Sequence, residues 1–188
     1  MTLHPGVDLA AALSVDVLEA ARWLLGCRIR SHRDGETTEV WLTEVEAYAG
    51  DLDPASHSYR GRTPRNEAMF GPPGTLYVYR SHGRHWCMNV VVGEEGVPHA
   101  VLLRGGEPTR GVATMVIRRH KAHELTNGPG KLSQALGVTG ADNGTSLSDG
   151  PIRLLADTLP SGYEILTTPR IGISRAADLP WRFVAITR

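Results

Sequence analysis

Two glutamates stand two residues apart in the segment TEVEAY at 43–48, and a tyrosine follows at the same interval. The β-forming residues around them predict a strand over 38–48, so Glu44, Glu46 and Tyr48 should share one of its faces. A carboxylate beside an aromatic ring could activate water next to a bound planar group. Solvent-facing carboxylates on an amphipathic strand produce the same pattern, so the strand alone leaves both interpretations open.

A pair of carboxylates is also what an ordinary sugar hydrolase uses, with one on each side of the scissile bond. Glu44 and Glu46 are neighbours on one strand face. Such side chains cannot easily flank a substrate from opposite sides, which argues against that mechanism.

A predicted β-hairpin is the second feature that could do chemistry. The segments TLYVYR at 75–80 and HWCMNVVV at 85–92 flank the turn SHGR at 81–84. His82 at the tip, between Arg80 and Arg84, could enter nucleic acid as a wedge while the arginines contact phosphates. A tyrosine-bearing edge hairpin with a solvated tip is the alternative.

Histidine pairs raise a third chemistry, that of a zinc hydrolase. The His-x-x-His pairs at 82/85 and 120/123, with Cys87 nearby, have side chains that can bind zinc. The first pair spans the predicted turn, however, and neither pair is accompanied by HExxH or CxxC. We therefore predict no metal site.

The segment GPGKLS at 128–133 is similar to a phosphate-binding loop but is not one. Leu132 follows Lys131 at the position where such a loop needs serine or threonine. The predicted helix start at Pro129, with Lys131, could still hold a single backbone phosphate. No cofactor is predicted.

Composition excludes several classes of protein. The 188 residues include 20 lysines and arginines against 20 aspartates and glutamates, a balance that argues against coating of nucleic acid by bulk charge. The 2 cysteines are too few for a disulfide framework or a cysteine-rich zinc site. The charge is uneven: residues 1–56 carry 10 acidic and 4 basic side chains, whereas residues 60–89 carry 5 arginines and only Glu67. One basic face is therefore expected.

The predicted fold class is α+β, a single mixed domain over residues 1–188 with a curved antiparallel β-sheet, flanking helices and a protruding hairpin. The expected helices span about 15–25, with Ser14 as N-cap, then Pro108 to about His120, and Pro129 to just before Gly137. The expected strands lie at 38–48, 75–80, 85–92, 100–104, 152–155, 163–167, 170–174 and 182–187.

Taken in order, these segments resemble the alkyladenine (3-methyladenine) DNA glycosylase family over nearly the whole chain. The motifs that carry the resemblance are TEVEAY at 43–48, DPASHS at 53–58, RTPRNEAMFGPPGTLYVY at 62–79, CMNV at 87–90, VLLRGGEP at 101–108, NGPGKLSQAL at 127–136 and RIGIS at 170–174.

The resemblance implies a role for particular residues. Glu46 matches the carboxylate that activates the hydrolytic water, and Arg104 and the main-chain carbonyl of Ile171 match the groups that hold this water. The base-binding positions are Tyr48, His57, Tyr79, Asn89 and Leu102. Among these, the first three sandwich the extruded base, His57 also gives the base a hydrogen bond, and Asn89 hinders normal guanine through its exocyclic amine.

The hairpin and its surroundings match the DNA-contacting positions. His82 stands where the family usually has a tyrosine that fills the gap left by the extruded nucleotide. The expected backbone-contacting residues are Arg62, Arg65, Arg80, Arg84 and Lys131.

The expected function is that of a monofunctional base-excision repair glycosylase acting on alkylated or deaminated purines, such as 3-methyladenine, 7-methylguanine, hypoxanthine and ethenoadenine. Its partner would be double-stranded DNA with a damaged purine, and it would work as a monomer away from membranes. The expected location is the cytoplasm near the nucleoid in a bacterium, or the nucleus in a eukaryote. A non-catalytic module that binds nucleic-acid lesions is the alternative.

Overall fold

A computed structural model describes residues 6–188, and residues 1–5 lie outside the described part. The helices are α1 (Leu9–Leu13), α2 (Val17–Leu24), α3 (Val112–Arg119) and α4 (Pro129–Leu136). The strands are β1 (Arg28–Arg33), β2 (Glu36–Ala49), β3 (Leu76–Ser81), β4 (His85–Val92), β5 (His99–Arg110), β6 (Ile152–Leu155), β7 (Tyr163–Thr168) and β8 (Arg182–Thr187). Short 3₁₀ helices span Gly50–Leu52, Glu67–Phe70 and Gly140–Asp142.

All strand pairs are antiparallel, in the order β3-β4-β5-β2-β1-β6. Strand β2 is the longest, and two strands pair along one of its edges. Its first half pairs with β1, and Glu44–Glu46 pair with β8. Strand β8 pairs in turn with β7. The predicted α+β class with a curved antiparallel sheet is confirmed.

An irregularity in β2 decides which side chains reach the core. Val40 and Leu42 are buried in the core, and beyond them the core positions become Val45 and Ala47. The register shifts on both sides of Glu44, so the alternation moves by one residue at this point. As a result, Glu44 and Glu46 share the face opposite the core.

Helices α2 and α4 cover the core face of the sheet. Helix α2 buries Ala20, Ala21 and Leu24, and α4 buries Leu132 and Leu136. Apolar residues three and four apart form one stripe on a helix, which explains this packing. Among residues 6–188, no helix combines the length and hydrophobicity required to cross a bilayer.

Two predicted helix starts were wrong. Asp16, not Ser14, caps α2, accepting a hydrogen bond from Leu18 N–H at 2.8 Å, whereas Ser14 ends α1. Pro108 does not start a helix, because β5 continues through it to Arg110 and α3 begins only after Gly111. Gly111 has a φ of 72°, and a Cβ atom there would lie 2.3 Å from the carbonyl oxygen of Thr37, so glycine allows this sharp change of direction.

The segment RIGIS at 170–174 is a loop rather than the predicted strand. Its backbone is used elsewhere: Ile171 N–H donates to the Glu46 carboxylate instead of a neighbouring strand. The short helix α1 and strand β1 were not predicted. The sequence of β1, RIRSHR, is mostly polar and contains a single β-branched residue, so its strand signal is weak.

Candidate active site

Antiparallel pairing aligns the central site residues in one row across the sheet. Tyr77 on β3 lies opposite Asn89 on β4, which lies opposite Leu102 on β5. Leu102 in turn lies opposite Glu46 on β2, and Glu46 opposite Arg182 on β8. Residues far apart in the sequence therefore become immediate neighbours, because directly opposed residues have side chains about 5 Å apart.

Glu46 is completely buried and accepts three hydrogen bonds. Its Oε2 accepts from the Tyr48 hydroxyl at 2.9 Å and from Arg104 Nη1 at 3.2 Å. Its Oε1 accepts from the main-chain N–H of Ile171 at 2.7 Å. An ionised carboxylate offers about four acceptor positions. Two of the three donors are on Oε2 and one is on Oε1, so Oε1 has the greater capacity to accept a further hydrogen bond.

Arg104, on β5, is held between two carboxylates of β2, Glu44 and Glu46. Its Nε donates to Glu44 Oε1 at 2.9 Å, and the same oxygen accepts from Arg182 Nε at 2.7 Å. Burial alone would lower the pKa of Arg104, but Glu46 and Glu44 outweigh this effect and raise it. The guanidinium therefore keeps its positive charge beside Glu46.

A buried ion pair that sequence reasoning missed supports this corner of the site. Arg170 donates to Asp53, with Nη2 to Oδ1 at 2.9 Å, and to the carbonyl oxygen of Ala47 at 2.9 Å. Its guanidinium also lies 4.6 Å from the ring centroid of Tyr48. Both residues lie within motifs that carry the family resemblance, DPASHS and RIGIS, and these motifs were the sequence feature that could have pointed to the pair. The family resemblance implied a role for the main-chain carbonyl of Ile171, and that role stays a prediction. In the structure the N–H of Ile171 contacts Glu46.

A cavity of about 470 Å³ opens beside this carboxylate. Its wall includes every predicted base-binding residue, namely Tyr48, His57, Tyr79, Asn89 and Leu102, together with Arg104 and Ile171. Glu46 lies immediately behind the wall and contacts three of its members. The structure therefore brings the predicted residues together around one cavity.

Aromatic rings form one side of the cavity. The rings of His57 and Tyr79 meet edge to face with centroids 4.4 Å apart, and Tyr77 stacks on Tyr79 at 5.7 Å. Tyr77, which sequence reasoning did not assign, contacts His57 Nδ1 through its hydroxyl at 2.9 Å. Asn89 is fixed in the wall because its Nδ2 donates to the carbonyl oxygen of Tyr77 at 3.0 Å.

Burial fixes the protonation states of these rings near neutral pH. It raises the pKa of Tyr77 to about 12 and also raises the pKa values of Tyr48 and Tyr79, so all three hydroxyls remain protonated. Desolvation of the His57 ring in the cavity, together with the charge of Arg65, lowers the pKa of His57. When the Tyr77 hydroxyl donates to Nδ1 of the neutral imidazole, Nε2 carries the remaining proton.

The hairpin tip stands at the rim of the cavity. Arg84 N–H donates to the Ser81 carbonyl oxygen at 2.9 Å, and φ is 48° at His82 and 67° at Gly83. Two successive positive φ angles are typical of the type I′ turn, whose twist matches that of a hairpin. His82 is exposed and lines the cavity.

The five predicted backbone-contacting cations fall into two groups. Arg62 forms an ion pair with Glu67, and Lys131 forms one with Glu124 at 3.2 Å. The other three, Arg65, Arg80 and Arg84, have no ion-pair partner within residues 6–188.

In the same described range, no three His, Cys, Asp or Glu side chains are grouped as metal ligands would be.

The sequence profile described as Methylpurine-DNA glycosylase matches residues 11–187. The chain belongs to this family. The methylpurine-DNA glycosylase match includes every element from α2 to β8 and all the residues of the cavity wall. Membership in this family supports a function as a DNA glycosylase in DNA repair.

Relatives of this family member share about half of its residues. A protein of Methanoculleus marisnigri is 49% identical over 179 residues, which cover 93% of this chain and 92% of the relative. A protein of Rhodococcus jostii is 50% identical over 177 residues, 88% and 76% of the two chains. One from Rhodopseudomonas palustris is 56% identical over 144 residues, 76% and 68%. All three are named "Putative 3-methyladenine DNA glycosylase".

Proposed function

We propose that this protein flips alkylated or deaminated purines out of duplex DNA and hydrolyses the bond between base and sugar, leaving an abasic site. The observation that carries the proposal is a buried carboxylate, Glu46, whose three hydrogen-bond donors, Tyr48, Arg104 and Ile171, line an aromatic cavity. The cavity volume of about 470 Å³ is in the range of small-molecule sites.

The hydrolytic water would donate to Glu46 Oε1, which accepts one hydrogen bond from the protein where Oε2 accepts two. The carboxylate takes a proton from this water as the water oxygen bonds to C1′ of the sugar. The bond from C1′ to the base breaks in the same process, and the purine leaves with its two electrons, most readily when alkylation has made it cationic. Its negative charge also stabilises the cationic character that develops on the sugar in the transition state. Arg104 and Ile171 N–H keep the carboxylate in position.

The aromatic side of the cavity would hold the extruded base. Tyr48, His57 and Tyr79 offer ring faces and edges on which a purine can stack, and an alkylated, cationic purine gains additional attraction to the electron-rich faces. Protonated Nε2 of His57 can donate a hydrogen bond to the base. Asn89 would oppose the exocyclic amine of normal guanine.

His82 would fill the gap that the extruded nucleotide leaves in the duplex. Unstacking a base costs a few kcal/mol, and a wedge in the vacated space opposes its return. The chain has two lysines, Lys121 and Lys131, and neither lines the cavity. A lysine nucleophile is therefore not available there, which supports a monofunctional enzyme. We extend the proposal to a monomer acting on cellular DNA.

Glu46→Gln tests this proposal, since glutamine keeps the side-chain size but is a poor base. We expect base release from duplexes with one defined lesion to fall about 10²- to 10⁴-fold, while lesion-duplex affinity stays within a few-fold of the wild-type value. Glu94→Gln, at an exposed position outside the cavity wall, should retain full activity.

Full base release by Glu46→Gln would refute the assignment of the carboxylate. Lesion binding by the wild-type protein without base release from any duplex of the panel would instead identify a non-catalytic binding module.

A further inference from the structure

The β3–β4 hairpin separates two cavities, of which the proposed function uses only one. Odd-numbered residues of the hairpin, such as Tyr77, Ser81 and Asn89, line the base cavity. A second cavity, of about 780 Å³, is lined by the even-numbered Val78, Arg80 and Trp86. Alternate residues of a strand point to opposite faces, so the two cavities lie on opposite sides of the hairpin.

His82 at the hairpin tip borders both cavities, as do Arg65 and Tyr79. The proposed wedge is therefore the ridge between them. When a base leaves the stack and enters the first cavity, the DNA strand to which it was paired lies on the other side of this ridge.

Planar groups line the second cavity near the tip. The indole of Trp86 packs against the backbone at Gly140, where an added Cβ atom would lie 2.7 Å from Cη2. The guanidinium of Arg80 lies 5.6 Å from the centroid of the same ring. Nucleic-acid bases stack on both aromatic rings and guanidinium planes.

The charge of the second cavity is also suited to a nucleotide. Among residues 6–188, no aspartate or glutamate lines it, and neither Arg65 nor Arg80 has an ion-pair partner. Asn143 accepts a hydrogen bond from Val78 N–H at 2.9 Å through Oδ1, which leaves the orientation of its amide group defined. Arginines and amide N–H groups are common donors to phosphate oxygens.

We propose that the second cavity binds the nucleotide opposite the lesion, with its base against Trp86 and Arg80 and its phosphate near Arg65. The inference rests on the proposed function, because it places His82 in the duplex. It adds that the protein holds both partners of the disrupted base pair, one on each side of the hairpin.

The test measures coupling between Trp86 and the opposite base. Proteins carrying Glu46→Gln, which prevents turnover, are titrated with two duplexes that differ only opposite the lesion, where one has a normal nucleotide and the other a tetrahydrofuran residue without a base. Trp86→Leu keeps an apolar side chain against Gly140 but removes the ring. We expect it to weaken binding of the first duplex about tenfold, the loss of one stacked base, and binding of the second less than twofold.

Two further variants serve as controls. Trp86→Phe should recover most of the affinity for the duplex that has the opposite base. Arg84→Ala removes an unpaired hairpin arginine that does not line the second cavity, and should weaken binding of both duplexes equally. Should Trp86→Leu be unstable, Arg80→Gln, at an exposed position, should show the same coupling at about threefold.

Equal losses of affinity for both duplexes in Trp86→Leu and Arg80→Gln would overturn the inference. It would also be overturned if the losses instead depended on a base that flanks the lesion, tested with a duplex that lacks that base. Wild-type base release, measured in parallel, separates the two proposals. Release without coupling refutes only the second site, and coupling without release refutes only the proposed chemistry.

Discussion

Arg104 Nε donates to Glu44 Oε1 at 2.9 Å, and this bond determines which edge of the guanidinium faces Glu46. The bond exists because strand alternation places the two glutamates on one face of β2, and the register shifts on either side of Glu44 turn that face away from the core. Glu44 is thus a positioning residue for the site, although the sequence also allowed it to be an ordinary solvent-facing carboxylate.

Glu44→Gln should therefore impair turnover without removing any residue from the cavity. Glutamine cannot satisfy both Arg104 and Arg182 as a carboxylate does, so the orientation of Arg104 toward Glu46 loosens. We expect kcat to fall about tenfold, or about 1.4 kcal/mol, with KM within threefold. Steady-state kinetics would check this against Glu164→Gln, which removes a carboxylate paired with the exposed Arg188 and should leave kcat unchanged. A rise in KM alone would contradict the positioning role.

The Asp53–Arg170 ion pair should be the most sensitive charged contact for stability. Both side chains are completely buried, so Asp53→Asn leaves a buried guanidinium without its counter-charge. Such a loss costs about 3–5 kcal/mol, which corresponds to a decrease in Tm of about 6–20 °C for a chain of this size. Thermal unfolding would show this, whereas Glu67→Gln, in the exposed pair with Arg62, should leave Tm unchanged. Equal Tm values for both variants would contradict the prediction.

The lowered pKa of His57 has a consequence for the pH dependence of stability. The unfolded chain binds a proton at this residue near pH 6.5, whereas the folded chain does so only at lower pH. Folding is therefore unaffected by His57 above this range and becomes less favourable as the pH falls below 6.5. The decrease in Tm between pH 7.5 and pH 5 should be smaller in His57→Gln than in the wild type.

A direct measurement of the His57 pKa would test its cause. An NMR titration, with the His57 signal assigned from His57→Gln, should give a pKa below 6.5. Arg65→Ala removes a nearby positive charge and should raise the pKa of His57, whereas Arg84→Ala should not. A wild-type pKa at or above 6.5 would show that desolvation does not dominate.

His82→Asn should weaken binding more than it slows chemistry. Asparagine tolerates the positive φ of 48° at this position, so the turn is retained while the ring is lost. We expect about tenfold weaker affinity for a lesion duplex, with the single-turnover rate at saturating protein changed less than threefold. His120→Asn is a matched control because His120 also has a positive φ, 52°, and does not line the base cavity. Unchanged affinity in His82→Asn would argue against the wedge.

Salt dependence should distinguish the unpaired arginines from the paired ones. Each phosphate neutralised by a protein cation contributes about −0.9 to the slope of log affinity against log salt concentration. Arg84→Ala should reduce the magnitude of this slope by about 0.9, the contribution of one phosphate contact. Arg62→Ala should reduce it less, because Glu67 already balances the Arg62 charge in the free protein. Identical slopes for Arg84→Ala and the wild type would remove Arg84 from the set of backbone contacts.

The sequence by itself determined the features that depend on neighbouring residues. Alternation along a strand places Glu44, Glu46 and Tyr48 on one face once they are recognised as a strand, and SHGR at 81–84 specifies a tight hairpin turn. The family motifs likewise named the cavity residues. Helix α4 began at Pro129 and ended before Gly137 as predicted, because proline at the first position and glycine after the last mark both ends locally.

Only the tertiary structure decided how these pieces meet. The row from Tyr77 through Asn89 and Leu102 to Glu46 depends on strand register, which is set by packing of whole strands rather than by local propensity. Ion pairs join residues far apart in the chain, such as Asp53 and Arg170, and short-range patterns do not encode their partners. For the same reason, the net charge of zero did not reveal which arginines are already neutralised and which remain available on the hairpin.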